Sequence, residues 1–132
     1  MEMNEGEVFD RWTILKMKRR FDQKAESEFR RFDEEVMALL TAKRYGSQKE
    51  MTDLVNHMVD LMEANAKIWN LEASLRQEFK DDPNNTGEVT DAEFGRRAKA
   101  IREHNKLRVE AKAKIDRLFG RVPDVKVNHA SQ

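Results

Sequence analysis

The chain of 132 residues contains no cysteine, only two prolines and five glycines, and its 25 basic and 25 acidic residues cancel. Without cysteine it can form neither a disulfide framework nor a thiolate zinc site, and it has no cysteine nucleophile. No apolar run approaches the roughly 18 residues of a membrane span. The first residues, MEMNEGE, are acidic and polar, unlike a signal peptide. We therefore expect a cytoplasmic protein that does not enter a membrane.

The residues that are present favour helices. Ala, Glu, Lys, Arg, Leu and Met dominate, and the mean hydropathy of −0.87 is low. Seven phenylalanines and two tryptophans nevertheless supply the large apolar side chains that disordered chains lack. The length suits one domain. The composition therefore predicts one all-α bundle domain over residues 1–120, followed by a tail over residues 121–132.

Start and stop signals divide the chain into helices. Asn4, Ser47 and Thr90 are each followed three residues later by glutamate, which is the spacing of a capping box. Gly46 and Gly120 stand where a helix commonly ends in the left-handed conformation. These signals and the apolar periodicity predict an elongated antiparallel three-helix bundle, with helices over 6–45, 48–80 and 91–119.

The first of these helices would be about 60 Å long at about 1.5 Å per residue. A kink or break near Asp22 is the alternative, and it would give four helices. The opening turns carry two apolar stripes, one with Val8, Trp12 and Leu15 and an opposite one with Ile14, Met17 and Phe21. An end that is apolar on two sides is either buried on both or available for self-association.

Polar side chains interrupt the apolar stripes of the predicted helices. If the chain reverses near Gly46 and Asn85, Asn65 falls level with Asn105, and Glu72 falls level with Lys18. Asp10 and Thr13 should lie beyond Glu72 on the face of the first helix. The candidate polar cluster consists of Asp10, Thr13, Lys18, Asn65, Glu72, Arg76, Asn105, Arg108 and Lys112.

Two interpretations of this cluster are open. Buried amides and ion pairs can fix helix register without any chemistry. Alternatively, the residues line a cleft at the bundle end, where a desolvated Glu72 with a raised pKa acts as an acid or base. In that case Lys18, Arg76 and Arg108 would face an anionic group such as phosphate or carboxylate, and Asn65 would orient it together with Asn105.

Three segments resemble one family. GEVFDRWTILKMK (6–18), IWNLEASLR (68–76) and FGRRAKAIREHNKLRVEAKAKIDRLFG (94–120) are similar, in this order, to segments of an uncharacterised bacterial family of small all-α proteins. That family is often encoded near glycosyltransferase and surface-polysaccharide genes. The resemblance implies an all-α fold and no established activity. The matching candidates are Asp10, Thr13, Lys18, Glu72, Arg76, Asn105, Arg108 and Lys112, together with Trp69.

The chain also departs from the family pattern. Lys16 stands where the family has glutamate, and Ala73 replaces the aspartate that follows the family's glutamate. The tail lacks the family's acidic, tyrosine-containing ending. The loss of the two acids at positions 16 and 73 weakens a proposal of metal binding or of catalysis by paired carboxylates.

Other signals do not indicate a cofactor or a metal site. Asp53, His57, Asp60 and Glu63 share one helix face, but they lack the carboxylate spacing of the helical nucleotide hydrolases. Arg96 to Arg121 holds ten basic and three acidic residues, a difference of seven positive charges. These charges surround the helix, and residues 96–117 include no phenylalanine, tyrosine or tryptophan for stacking on bases, so we do not expect nucleic-acid binding.

The sequence therefore favours a non-catalytic helical interaction module that contacts a protein partner or a second copy of itself. The alternative is a small-molecule binding protein, or a small enzyme, with a polar site at the bundle end for an anionic or phosphate- or sugar-containing ligand. No cofactor is expected in either case.

Overall fold

The computed structural model describes residues 2–81 and 91–123, and this part of the chain is all-α. It contains four helices: α1 (Glu5–Lys18), α2 (Ala25–Ala42), α3 (Gln48–Asp81) and α4 (Asp91–Leu118). The predicted all-α bundle is confirmed, and the break in the first helix gives four helices. Among these described segments, no helix is both long and apolar enough to cross a membrane.

The break separates α1 from α2 over residues 19–24. Asp22 stabilises the turn, because its side-chain oxygen accepts a hydrogen bond from the backbone N–H of Lys24 at 2.9 Å. The two helices then run antiparallel. Trp12 Nε1 donates to Asp33 Oδ1 at 2.9 Å, and the guanidinium of Arg19 lies over the ring of Phe29.

The reversal sets the direction of α1 relative to the other helices. Near its start Gly6 contacts Asp116, further on Asp10 contacts Asn65, and beyond its end Phe21 stacks on Trp69. Helix α1 therefore runs parallel to α3 and antiparallel to α4. The continuous first helix predicted over 6–45 would have run antiparallel to α3, so this prediction is wrong.

The core lies at one end of the molecule. Its buried side chains come from all four helices and include Val8, Phe9, Trp12, Leu15, Phe29, Phe32, Val36, Leu54, Leu61 and Ile115. In contrast, no described side chain of α3 after Asn65, and none of α4 before Asn105, is buried. We call α1, α2 and residues 48–65 and 105–118 the packed end, and residues 66–81 and 91–104 the open hairpin.

The start of α1 lies against the backbone of α4. Gly6 N–H donates to Asp116 Oδ1 at 2.7 Å, and a Cβ atom at this position would overlap the carbonyl oxygen of Lys112. The predicted cap residue Asn4 forms no capping hydrogen bond, and its side chain instead donates to Asp116 and to the carbonyl oxygen of Val122. The cap of α1 therefore comes from another helix.

The other predicted ends can be compared in the same way. Ser47 Oγ accepts a hydrogen bond from Glu50 N–H at 3.1 Å, as predicted, and Gly120 has a φ of 75° just after α4. The predicted cap at Thr90, the turn near Asn85 and the end of the tail lie outside the described residues.

Candidate functional site

Asp10 is the centre of a buried group of polar side chains. It is 1% exposed, and its carboxylate accepts two hydrogen bonds from Arg108, one from Nε at 2.9 Å and one from Nη2 at 2.7 Å. Asn65 Nδ2 donates to the same carboxylate at 2.9 Å. A bidentate pair of this kind combines charge with fixed geometry, so Arg108 is held in one orientation.

Further hydrogen bonds join this pair to α3 and α4. Asn65 Nδ2 also donates to Thr13 Oγ1 at 2.7 Å, and the Thr13 hydroxyl donates to the Asp10 carbonyl oxygen at 2.8 Å. Arg108 Nη1 donates to Asn105 Oδ1 at 2.9 Å. These hydrogen bonds therefore join α1 to both α3 and α4, and each polar side chain among them has a partner.

A second ion pair borders the first. Lys112 Nζ lies 2.5 Å from Glu7 Oε2 and 3.8 Å from Asp10 Oδ2. Burial alone would raise the pKa of Glu7, but the hydrogen bonds and charges of Lys112 and Arg11 outweigh it and hold this pKa below its ordinary value. The hydrogen bonds from Arg108 to Asp10 raise the pKa of Arg108 against the effect of its burial.

The structure thus brings together six of the nine candidate residues. We call them, with Glu7, the polar network: Glu7, Asp10, Thr13, Asn65, Asn105, Arg108 and Lys112. Asn65 and Asn105 lie together, as the register predicted. The expected position of Asp10 and Thr13 beyond Glu72 is wrong, because α1 runs parallel to α3 and places them beside Asn65.

Glu7 was not among the candidates. The signal that could have found it is its spacing, since it precedes Asp10 by three residues and therefore shares its helix face. Its partner Lys112 likewise follows Arg108 by four residues. Two acids and two bases at helical spacing on two helices indicate a pair of facing ion pairs.

Lys18, Glu72 and Arg76 do not join the network. All three side chains are exposed, and within the described residues Glu72 forms no ion pair. The expected desolvation of Glu72 is therefore wrong. Helix α1 ends at Lys18, so none of the described helices continues along the open hairpin to cover these positions.

A groove lies between α1, α3 and α4 beside the polar network. Its volume is about 400 Å³. Apolar walls come from Ile14, Met17, Ile68, Trp69 and Ile101, and the polar lining consists of Asn65, Glu72, Asn105 and Arg108. The groove therefore has one side fixed by the polar network and one exposed carboxylate.

Comparison of the chain with models of protein families, with curated proteins and with solved structures found no match. The resemblance to the uncharacterised bacterial family stays a prediction that rests on the three quoted segments. Among the described residues, no three His, Asp or Glu side chains are grouped as metal ligands.

Proposed function

We propose that this chain is a non-catalytic helical module that acts through protein contacts and associates with a second copy of itself. Two features support the proposal. The buried charges of the polar network pair with one another, which suits a role in holding α1 on α3 and α4. The exposed surface of α3 carries a row of apolar side chains that no described helix covers.

This row is the observation on which the proposal rests. Val55 is 52% exposed, Val59 is 44% exposed and Met62 is 37% exposed, and Ala66 continues the row. We call these four residues the α3 outer face. Their spacings of four, three and four residues match the alternation of a coiled-coil seam, and none of them is charged.

A second copy is the partner that this pattern fits most simply. A two-fold axis brings the same apolar row of two chains together, as in most soluble homo-oligomers. The formal net charge of zero leaves no overall charge repulsion between copies.

The surface proposed here for self-association differs from the one that the sequence suggested. The sequence had suggested the two apolar stripes at the start of the first helix. Val8, Trp12 and Leu15 are instead buried, because α2 packs on one side of α1 while α3 and α4 pack on the other. In the opposite stripe, Ile14 and Met17 are half-buried along the groove and Phe21 is 75% exposed, so only one of the two stripes is buried.

Sedimentation equilibrium over a range of protein concentrations tests the proposal. We expect the mass to rise from the 15.5 kDa of one chain to twice that value. Val59→Glu should weaken this association at least about tenfold, or about 1.4 kcal/mol, because it places a charge in the seam. Ser27→Glu, at an exposed position of α2, is the matched control and should associate like the wild type. A wild-type mass of one chain at every concentration, or equal association of both variants, would contradict the proposal.

A further inference from the structure

The charges around the groove are not balanced. Arg108 uses Nε and Nη2 on Asp10 and Nη1 on Asn105, so its positive charge is neutralised within the polar network. Lys112 is paired with Glu7. Glu72 also lines the groove, and it has no ion-pair partner among the described residues.

The groove lining and the polar network together therefore carry a net charge of −1, since Arg108 and Lys112 balance Asp10 and Glu7 and the charge of Glu72 remains. Glu72 lies close enough to Arg108 to contribute to the raised pKa of that guanidinium. The cation nearest to Glu72 in sequence, Arg76, forms no ion pair with it and lines a different surface depression with Leu75 and Phe94.

Five of the nine residues that line the groove are apolar, and the groove has the size of a small-molecule site. Its volume of about 400 Å³ lies within the range of about 300–1,000 Å³ that is usual for ligand pockets. Trp69 forms part of the wall, and its orientation is supported by Phe21, which stacks on it at 6.0 Å with an interplanar angle of 17°. An indole ring attracts cations as well as apolar groups.

We propose that this groove binds a small organic cation, namely an ammonium group carried on an aromatic or branched aliphatic body. The ammonium group pairs with Glu72, and the body packs on Trp69 and on the apolar side chains of α1 and α4. Asn65 and Asn105, which the polar network holds in place, border the bound molecule. This ligand has the opposite charge to the one that the sequence suggested, because Asp10 already neutralises Arg108.

A titration monitored by NMR tests this site. The ¹⁵N-labelled full chain is titrated with 2-phenylethylammonium, and the side-chain amide signals of Asn65 and Asn105 and the indole N–H signal of Trp69 are followed. We expect saturable shifts with a dissociation constant of about 1 mM or below. The neutral analogue 2-phenylethanol should bind at least about tenfold more weakly, because it cannot pair with the carboxylate.

Two variants link the binding to the carboxylate. Glu72→Gln keeps the shape of the side chain and should weaken binding of the ammonium probe about tenfold, whereas Glu34→Gln, at an exposed position of α2, should leave binding unchanged. Repeating the titration in Val59→Glu separates ligand binding from self-association. Tighter binding of 3-phenylpropanoate than of the ammonium probe, no effect of Glu72→Gln, or no saturable shift of the three signals would overturn the proposal.

Discussion

The packed end and the open hairpin use the same two long helices in different ways. In the packed end, Asp10 of α1 is 1% exposed and joins Asn65 of α3 to Arg108 of α4. In the open hairpin, Glu72 shares the apolar stripe of α3 but is exposed and has no ion-pair partner among the described residues. The comparison shows that a position on an apolar stripe is buried only where a third helix covers it.

Helix lengths explain the difference. Helix α1 has 14 residues and α3 has 34, which correspond to about 21 Å and about 51 Å at about 1.5 Å per residue. Since α1 meets α3 near Asn65 and ends at Lys18, the far part of α3 extends beyond it. A short first helix therefore divides one helical hairpin into two environments.

The largest expected effect comes from removing the buried acid. Asp10→Ala leaves Arg108 without its charge partner and should lower the free energy of unfolding by about 3–5 kcal/mol. Glu72→Ala removes the same charge from the open hairpin and should change it by no more than about 0.5 kcal/mol. Urea unfolding followed by circular dichroism measures both. Similar losses in the two variants would show that the packed end and the open hairpin do not differ as described.

A smaller effect should separate two glycines. Gly6→Ala forces a methyl group into the backbone of α4 and should lower the free energy of unfolding by about 1–3 kcal/mol. Gly95→Ala lies within α4 in the open hairpin, where no atom would be within 4 Å of the added Cβ, and alanine favours helix formation. It should stabilise the protein by about 0.5–1 kcal/mol. The melting temperature should therefore fall in Gly6→Ala and rise in Gly95→Ala. A rise in both variants would argue against the close approach of α1 to α4.

The smallest expected effect is a change in pH dependence. The pKa of Glu7 in the folded protein lies below its ordinary value of 4.5, so its ion pair contributes stability above that value. This contribution is lost as the pH falls through the lower folded pKa. Glu7→Gln should therefore reduce the loss of stability on acidification, and Lys112→Met, which removes the same ion pair, should reduce it likewise. The free energy of unfolding is measured at intervals of about 1 pH unit between about pH 3 and about pH 7. If both variants lost stability with falling pH as steeply as the wild type, this role of Glu7 would be contradicted.

Much of the fold follows from local sequence signals. The break at residues 19–24 and the ends at Ser47 and Gly120 lie near the positions that turn and capping residues indicated. That Asn65 and Asn105 lie at the same height of the bundle also follows from counting residues outward from a reversal near Asn85. The contacts of Gly6 and Asn4 were not predictable from local signals, because their partner Asp116 is more than a hundred residues away.

The candidate site was predictable only in part. Helical spacing identified Asp10, Asn65 and Arg108 as polar residues on apolar stripes, and the structure joins them. The same spacing placed Glu72 inward, and it is exposed. A helical wheel states which side chains share a face, but it does not state which face another helix covers.

The sequence by itself determined that the chain is helical and where α3 and α4 begin and end, because hydrogen bonds within a helix and its caps join residues that are close in the chain. Only the tertiary structure decided that α1 runs parallel to α3, that Asp10 neutralises Arg108, and that Glu72 remains open to solvent. These outcomes depend on contacts between residues distant in the sequence. The direction in which α1 packs follows from the turn at residues 19–24 together with the contacts of α1 with α2, α3 and α4.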